Sequence, residues 1–243
     1  LRVDSGGGSA AASERITHMI ERYRDETAIP VVASFGSYAA SGGYYVATQT
    51  EYIFAEPICL TGSIGVISFN FTFPGLMEKL GISAEAIEAP GSPQKGVANN
   101  PFREFNEQDR EEIRRILSMY HEQFVDRVMG GRADKMTEAE VRSAADGRLM
   151  LAEEAVEVKI VDEIGYLEDA IDKAKSLAGG QVDRVTELHP VAPLSFSSML
   201  MSRTQSPHTL TGEQVRDFLD ELSNPRFEYR HRFGGNGIEH HSD

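Results

Sequence analysis

A cluster of small residues around one serine constrains this chain more than any other feature. The stretch 34–65 reads SFGSYAASGGYYVATQTEYIFAEPICLTGSIG and follows Val31 and Val32, an apolar pair that predicts the end of a buried strand. Glycines and alanines surround Ser41, namely Gly36, Ala39, Ala40, Gly42 and Gly43. Because small neighbours let the backbone approach closely, the pattern predicts a strand that ends in a tight turn at Ser41, followed by a helix.

Such a turn has two interpretations. A serine between a strand and a helix is exposed to substrate, and the N–H groups that follow it can stabilise a developing oxyanion, so Ser41 is a candidate nucleophile. A turn of glycine, alanine and serine can equally let a helix pack tightly on a sheet without any chemistry. The G-x-S-x-G pattern of the α/β-hydrolases is absent because Ala39 occupies the position of its first glycine. The residues alone leave both interpretations open.

Composition narrows the class of protein. The 243 residues suffice for one large or two small domains, and a net charge of −14 argues against a nucleic-acid partner, which needs clustered lysine and arginine. The single cysteine, Cys59, lies in an apolar run, and we expect a buried, unreactive thiol. No Gly-Lys-Ser/Thr follows the glycine loop 5–9, so a Walker-type phosphate site is not predicted, and we expect no cofactor and no metal.

Membrane and targeting signals are missing from the sequence as given. No run approaches the roughly 18 apolar residues of a membrane span, and we expect no signal peptide. Leu1 falls inside an expected strand, so we expect that one or more N-terminal strands are missing from this chain.

Segments with the apolar spacing of helices alternate along the chain with short apolar segments typical of strands, and this order predicts an α/β fold. Helices are expected at 10–24, 74–80, 107–129, from the capping box of residues 137–140, and at 152–159 and 167–178. Strands are expected at 1–3, 31–34, 52–55 and 160–162. Residues 64–73 are expected to be extended with one face available for contact, and 89–101 to form a loop.

Two details of these helices can be checked directly. Ile16, Met19, Ile20 and Tyr23 give the first helix an apolar face, and a glycine pair at 130–131 is expected to stop the long helix.

The organised part is predicted to end near residue 178. Residues 179–243 are predicted to form a partly ordered C-terminal extension with one amphipathic segment at 213–222.

Three motifs occur in order along the chain. Residues 1–14 (LRVDSGGGSAAASE) are similar to an S-P-G-G-S segment, with Gly6 at the usual proline, residues 38–47 (YAASGGYYVA) to a nucleophile segment, and residues 60–66 (LTGSIGV) to a T-G-S-I-G segment. In these motifs the chain resembles the signal peptide peptidase A family, the protease IV or S49 serine peptidases. The similarity continues through 100–110 and 145–165, over roughly the first three quarters of the chain.

The resemblance implies a crotonase/ClpP-like fold of repeated ββα units over residues 1–178 and a Ser-Lys dyad with Ser41 as nucleophile. A lysine accepts a proton only when neutral, so the base should be buried in the assembled enzyme. The position of Lys95, before Asn100-Pro101-Phe102-Arg103, implies that it is the base, although the spacing is about one residue longer than usual. Lys79 is the reserve, and in double-length members the lysine comes from the other half of the chain.

The remaining site residues also follow from the resemblance. Ser63 corresponds to the serine that hydrogen-bonds the lysine amine, and the oxyanion hole is expected from the backbone N–H of Gly42 together with Gly7 or Gly8. Sequence alone does not choose between Gly7 and Gly8. Histidines are poor candidates for the base. His18 and His121 lie on predicted helices, and the other five lie in the C-terminal extension.

The resemblance implies a serine endopeptidase for apolar peptides, such as cleaved signal peptides in a bacterial membrane. It further implies membrane association at the extracytoplasmic face, through a segment that is not in this chain, and a cyclic homo-oligomer. The alternative from another class is a crotonase-fold scaffold or an acyl-CoA-binding protein without peptidase chemistry. That alternative is weakened because the sequence shows no evident basic site for an adenine phosphate.

Overall fold

A computed structural model describes residues 1–92, 95–96, 100–180 and 186, and the backbone of Glu228–Arg230. Its strands are β1 (Arg2–Ser5), β2 (Gly7–Ser9), β3 (Val32–Ala40), β4 (Tyr52–Ala55), β5 (Leu60–Gly62), β6 (Leu149–Leu151), β7 (Glu163–Ile164) and β8 (Glu228–Arg230). Its helices are α1 (Ala10–Thr27), α2 (Gly42–Ala47), α3 (Pro74–Lys79), α4 (Glu107–Gly131), α5 (Glu138–Ala144), α6 (Ala152–Glu157) and α7 (Leu167–Leu177). The α/β fold class is confirmed.

Strand β3 organises the main sheet, whose order is β6-β5-β3-β4-β7. Its first half pairs in parallel with β4, and its end pairs in parallel with β5, with Ala40 opposite Gly62. Ala39 pairs with both β1 and β5, so β1 lies along the opposite edge of β3. Because β3 is nine residues long, β4 and β5 both pair with its other edge, one after the other. As a result, the carboxyl ends of β3 and β5 lie side by side.

The end of β3 and the segment that follows it are almost entirely buried. Every residue from 39 to 48 is buried except Val46, and the phenolic oxygen of Tyr44 donates a hydrogen bond of 3.0 Å to the carbonyl of Ile160. Helix α1 covers this segment with small side chains, because its buried residues are Ala10, Ser13 and Thr17. Small side chains on α1 let the two helices approach closely.

The apolar face expected on α1 therefore lies toward solvent and not toward the core. Ile16, Met19 and Tyr23 are exposed, with Met19 at 69%. The apolar periodicity of the helix was real, but its small polar residues fit against the backbone of α2 and decide which face is buried.

Helix α4 begins as its capping signal predicts and ends later than its glycines suggest. Asn106 and Asp109 form a reciprocal capping box, with both hydrogen bonds at 2.9 Å. The expected stop at 130–131 is wrong, since the helix runs through Gly131 to a cap at Arg132. A side chain at Gly131 would overlap the carbonyl of Thr48, so this glycine serves a close approach between helices.

A buried ion cluster joins the end of α4 to the sheet. Arg132 is fully buried and donates to Asp162 at 2.8 Å and to the carbonyl of Ile160 at 2.6 Å. Lys135 lies 2.7 Å from the same carboxylate, which also accepts the N–H of Ile53 at 2.7 Å. The predicted strand at 160–162 is wrong, because Ile160 and Val161 belong to the turn after α6. Their N–H groups both donate to the carbonyl of Ala155, at 3.0 and 3.2 Å. Strand β7 begins at Glu163.

Other expectations match the structure closely. The strand at 52–55 and helices near 74–80, 137 and 167–178 are confirmed, whereas β2, β5 and β6 were not predicted as strands. The predicted amphipathic segment at 213–222 lies outside the described residues.

The segment from residue 66 to residue 104 differs from the rest, and we call it the arm. None of its described residues is buried. Its exposed large apolar side chains are Ile67, Phe69, Phe71, Leu76, Leu80, Ile82, Ile87 and Phe102.

Candidate active site

Ser41 occupies a strained turn between β3 and α2. Its backbone has φ 54° and ψ −119°, a combination that side-chain-bearing residues rarely adopt. The turn is held by a hydrogen bond from the N–H of Ser41 to the carbonyl of Gly62 and by another from Tyr45 to the carbonyl of Ser41, both 2.8 Å. Strand, strained serine and helix is the arrangement of a nucleophile elbow, here built without the G-x-S-x-G pattern.

Ser63 follows the neighbouring strand and, like Ser41, has a positive φ. Its φ is 49°, and its N–H donates to the carbonyl of Arg148 at 2.7 Å. Because Ala40 pairs with Gly62, the next residues along the two strands, Ser41 and Ser63, leave the sheet at the same edge. The hydroxyl of Thr61 donates to the carbonyl of Ala39 at 2.6 Å and helps to fix this register.

The glycine strand β2 lies against the turn. A Cβ built on Gly42 would be 2.6 Å from Oγ of Ser13, 3.1 Å from the amide nitrogen of Gly8 and 3.2 Å from Cα of Gly7. No side chain larger than hydrogen fits at Gly42, and the close approach brings the backbone of β2 next to the residue after Ser41. The N–H of Gly7 donates to Oγ of Ser5 at 3.2 Å.

A cavity of about 690 Å³ meets both serines. One wall is a stripe of α4, formed by Arg114, Leu117, Ser118 and His121. The facing walls are the segment Ser63, Ile64, Gly65, Val66, Ile67 and the turn Ala145, Asp146, Gly147. The lining combines aliphatic side chains with the hydroxyls of Ser41, Ser63 and Ser118, so the cavity is suited to an apolar chain held near a serine.

Comparison with known proteins identifies the relationship. The family model described as peptidase family S49 matches residues 24–181, which is more than half of the chain. The chain belongs to peptidase family S49. It is 29% identical over 214 residues to Protease 4 of Haemophilus influenzae, covering 88% of this chain and 34% of that protein. It is 31% identical over 228 residues to the chloroplastic serine protease SPPA of Arabidopsis thaliana, covering 92% of this chain and 32% of that protein.

The chain thus spans about a third of the length of these two relatives. It is also 35% identical to a protein from Synechocystis sp., in a match that covers 76% of this chain and 64% of that protein. Among solved structures, an enoyl-CoA hydratase/isomerase from Marinobacter aquaeolei matches with a TM-score of 0.36 and 14% sequence identity, covering 86% of this chain and 57% of that one.

The three S49 motifs come together in space. The first motif supplies β2 beside Gly42, the second supplies Ser41, and the third supplies Ser63. Pairing of β3 with β5 explains why the second and third motifs, which are separated along the chain, meet at one cavity.

Lys95 lies apart from this group. It is exposed on the arm, its N–H donates to the carbonyl of Ser92 at 3.0 Å, and it is not among the residues that line the cavity in the described part of the chain. Lys79 is also exposed, at the end of α3. The predicted role of Lys95 as base stays a prediction.

His121 is the site residue that sequence reasoning passed over. It lies on the cavity wall, and its Nε2 is 2.9 Å from the carbonyl oxygen of Ala145. Its spacing from Arg114, Leu117 and Ser118 along one helical face was the available signal, but only the fold reveals that this face borders Ser41.

Other chemistry is sparse in the described residues. Cys59 is buried as expected, and burial raises the pKa of its thiol to about 12. Within the described ranges, no group of three or more His, Cys, Asp or Glu is arranged to hold a metal ion. In the same part of the chain, no helix is both long and apolar enough to cross a bilayer.

Proposed function

We propose that this chain is the catalytic unit of a serine endopeptidase with Ser41 as nucleophile, acting on apolar peptides such as cleaved signal peptides at a membrane. The observation that carries the proposal is the strained turn at Ser41, which meets a partly aliphatic cavity next to Ser63. Strain of about 1–3 kcal/mol at such a residue persists only where the surroundings impose it, and it is concentrated at functional sites. Membership of family S49 supports the same chemistry.

In the proposed reaction, Oγ of Ser41 attacks the peptide carbonyl carbon while its proton passes to a neutral lysine amine. The N–H groups of Gly42 and Gly8 stabilise the oxyanion. The C–N bond breaks as the lysine returns the proton to the leaving amine, and a water molecule repeats the sequence on the acyl-serine ester. Gly8 is the better second donor because its nitrogen lies against Gly42, whereas the N–H of Gly7 is engaged with Ser5.

Lys95 is the proposed base and Ser63 the hydroxyl that directs its amine. A lysine amine loses its proton readily only when it is desolvated, and Lys95 is exposed in the single chain. We therefore propose that a neighbouring subunit covers the arm in a cyclic homo-oligomer. The eight exposed apolar side chains of the arm support this, since large exposed apolar patches commonly mark protein interfaces. Lys79, or a lysine outside this chain, is the alternative base.

The substrate is proposed to bind as an added strand along β2. Support comes from the chain itself, because β8 (Glu228–Arg230) pairs antiparallel with β2, with Tyr229 opposite Gly8. A peptide of varied sequence that takes the place of β8 can pair with this edge through the same kind of backbone hydrogen bonds. Apolar side chains of that peptide would enter the cavity beside Ser41.

The proposed setting is the extracytoplasmic face of a bacterial membrane, with the anchor supplied by a segment beyond this chain. The support is indirect: a 35% identical relative from Enterococcus faecium carries the name of a signal peptide peptidase, SppA.

Covalent labelling tests the proposal. A fluorophosphonate probe should modify wild-type protein at Ser41, and Ser41→Ala should lose both labelling and peptide hydrolysis, with kcat reduced by at least about 10⁴-fold. Ser37→Ala is the matched control, because Ser37 is exposed on β3, four positions before Ser41, and should keep both activities. Full hydrolysis by the Ser41→Ala protein would overturn the assignment. A folded wild type that neither reacts nor hydrolyses peptides would favour a crotonase-fold scaffold or an acyl-CoA-binding protein instead.

A further inference from the structure

We propose that His121 is a positioning residue for Ser63, acting through the turn at residues 145–148. This inference rests on the proposed peptidase function and adds a residue to its machinery. The starting observation is that His121, which lies on α4, reaches across the cavity wall to the carbonyl oxygen of Ala145 at 2.9 Å.

The hydrogen bond defines the state of the ring. A carbonyl oxygen only accepts, so Nε2 of His121 carries the proton and donates it. That nitrogen is then unavailable to take a proton from Ser41. The geometry therefore fits a residue that holds the wall in place better than it fits a general base.

The turn that His121 holds leads directly to Ser63. Ala145 caps the end of α5, Gly147 has φ 86°, and the next residue, Arg148, accepts the N–H of Ser63 at 2.7 Å. That hydrogen bond fixes Ser63 at its positive φ. A glycine in the left-handed region is a flexible joint, so the position of the Arg148 carbonyl depends on what anchors the turn on its other side.

The charged groups around the cavity are already paired. Arg114 lies 2.8 Å from Glu107, and Asp146 lies 2.6 Å from Arg148. Neither is positioned by these contacts to replace the link from His121 to Ala145. The half-buried imidazole thus links α4 directly to this turn, beside the exposed Arg142–Glu122 ion pair that joins α4 to α5 at 3.1 Å.

The first test compares three variants on a quenched fluorogenic peptide rich in alanine and leucine, using the full chain. His121→Ala should lower kcat by about tenfold to a hundredfold with little change in KM, because the ground-state pocket persists while Ser63 is misaligned. His121→Gln should recover most of kcat, since its amide can donate from a similar reach. His18→Ala should behave as wild type, because His18 is exposed on α1.

A double-mutant cycle with Ser63→Ala decides the route of the effect. If His121 acts through Ser63, His121→Ala should cause almost no further loss in the Ser63→Ala background, and the pH profile of kcat should keep its shape. Additive losses would overturn the proposal, and so would failure of glutamine to rescue. Loss of the acidic limb of the pH profile in His121→Ala would also overturn it, by making the imidazole the base.

Labelling by the fluorophosphonate probe separates this proposal from the proposed function. If the wild type is labelled at Ser41 but the cycle is additive, only the role of His121 is wrong. If the wild type is not labelled at all, the peptidase assignment itself is wrong.

Discussion

The turn around Ser41 and the arm differ in how far the rest of the chain buries them. All residues from 39 to 48 except Val46 are buried, and the backbone around Ser41 is fixed by hydrogen bonds from two directions. In the arm, residues 66–104, no described residue is buried, and Ile87 is 87% exposed. One region is enclosed by its own chain, and the other presents apolar surface that the described residues leave exposed.

This difference bears on the proposed dyad, because its two members lie in the two regions. The proposed nucleophile, Ser41, is held in a strained geometry by its own chain, whereas the proposed base, Lys95, lies on the exposed arm. A hydroxyl can be directed within one fold, but an amine loses its charge only when water is removed from it. The contrast leads us to expect that nucleophile geometry is a property of the monomer and that base function is a property of the assembly.

The largest expected effect concerns Lys95, the proposed base on the arm. Lys95→Ala should lower kcat by about 10³- to 10⁴-fold, and Lys95→Arg should be equally inactive because guanidinium stays charged. Peptide hydrolysis under saturating substrate is the measurement, with Lys79→Ala as the matched control. A normal rate in Lys95→Ala with a dead Lys79→Ala would transfer the role to Lys79, and normal rates in both would point to a base outside these two lysines.

The next prediction tests the buried ion cluster of Arg132, Lys135 and Asp162, which supports the enclosed region around Ser41. Burial disfavours ionisation of Asp162, but the charges of Arg132 and Lys135 and their hydrogen bonds outweigh it, so the pKa of the Asp162 carboxyl lies below its ordinary value. Asp162→Asn should destabilise the protein by about 3–5 kcal/mol at neutral pH, because it leaves a buried guanidinium without its counter-charge. Denaturant unfolding measures the loss, and Asp172→Asn, at an exposed position, is the control.

The sign of the pH dependence follows from the lowered pKa. Ionised Asp162 contributes its full stability above the unfolded pKa of roughly 3.9, and this contribution disappears as the pH falls through the folded pKa. The stability gap between wild type and Asp162→Asn should therefore be constant above about pH 5 and narrow below about pH 4. A gap that widens in acid would refute the ionised pair.

A glycine pair compares the two regions directly. A methyl group at Gly43 would overlap the carbonyl oxygen of Ser5, whereas a Cβ at Gly75 in the arm meets nothing within 4 Å. Gly43→Ala should cost about 1–3 kcal/mol of stability and reduce kcat about a hundredfold by displacing the end of β1 from the turn. Gly75→Ala should leave stability unchanged or slightly higher. Equal tolerance at both positions, measured by thermal unfolding and kcat, would remove the contrast.

The smallest expected effect concerns assembly through the arm. Phe69→Asp and Ile87→Asp place charges on side chains that are 63% and 87% exposed, so the monomer fold should survive. We expect each to weaken self-association and to lower activity at micromolar concentration about tenfold. Analytical ultracentrifugation and activity on dilution are the measurements, with Met19→Asp on the outer face of α1 as control. A wild-type protein that is monomeric and fully active at these concentrations would show that assembly is dispensable.

Local signals accounted for the helix starts and for the candidate nucleophile. Asn106 and Thr137 each form the capping box that their sequence predicts, and Ser41 lies in the strand-to-helix turn that its small neighbours predict. These features depend on residues within three or four positions of one another, so the sequence contains the whole interaction.

Tertiary structure decided what depends on distant partners. Pairing of β3 with β5 brings Ser41 beside Ser63, and the fold alone places His121 on the wall next to both. The burial of Ser13 and Thr17 rather than Ile16 and Met19 follows from the close approach of α2, which no periodicity within α1 reports. The sequence by itself determined the strand-to-helix turn at Ser41 and the candidate groups proposed to act with it. Their mutual arrangement arises only from long-range packing, because it is set by contacts between residues far apart along the chain.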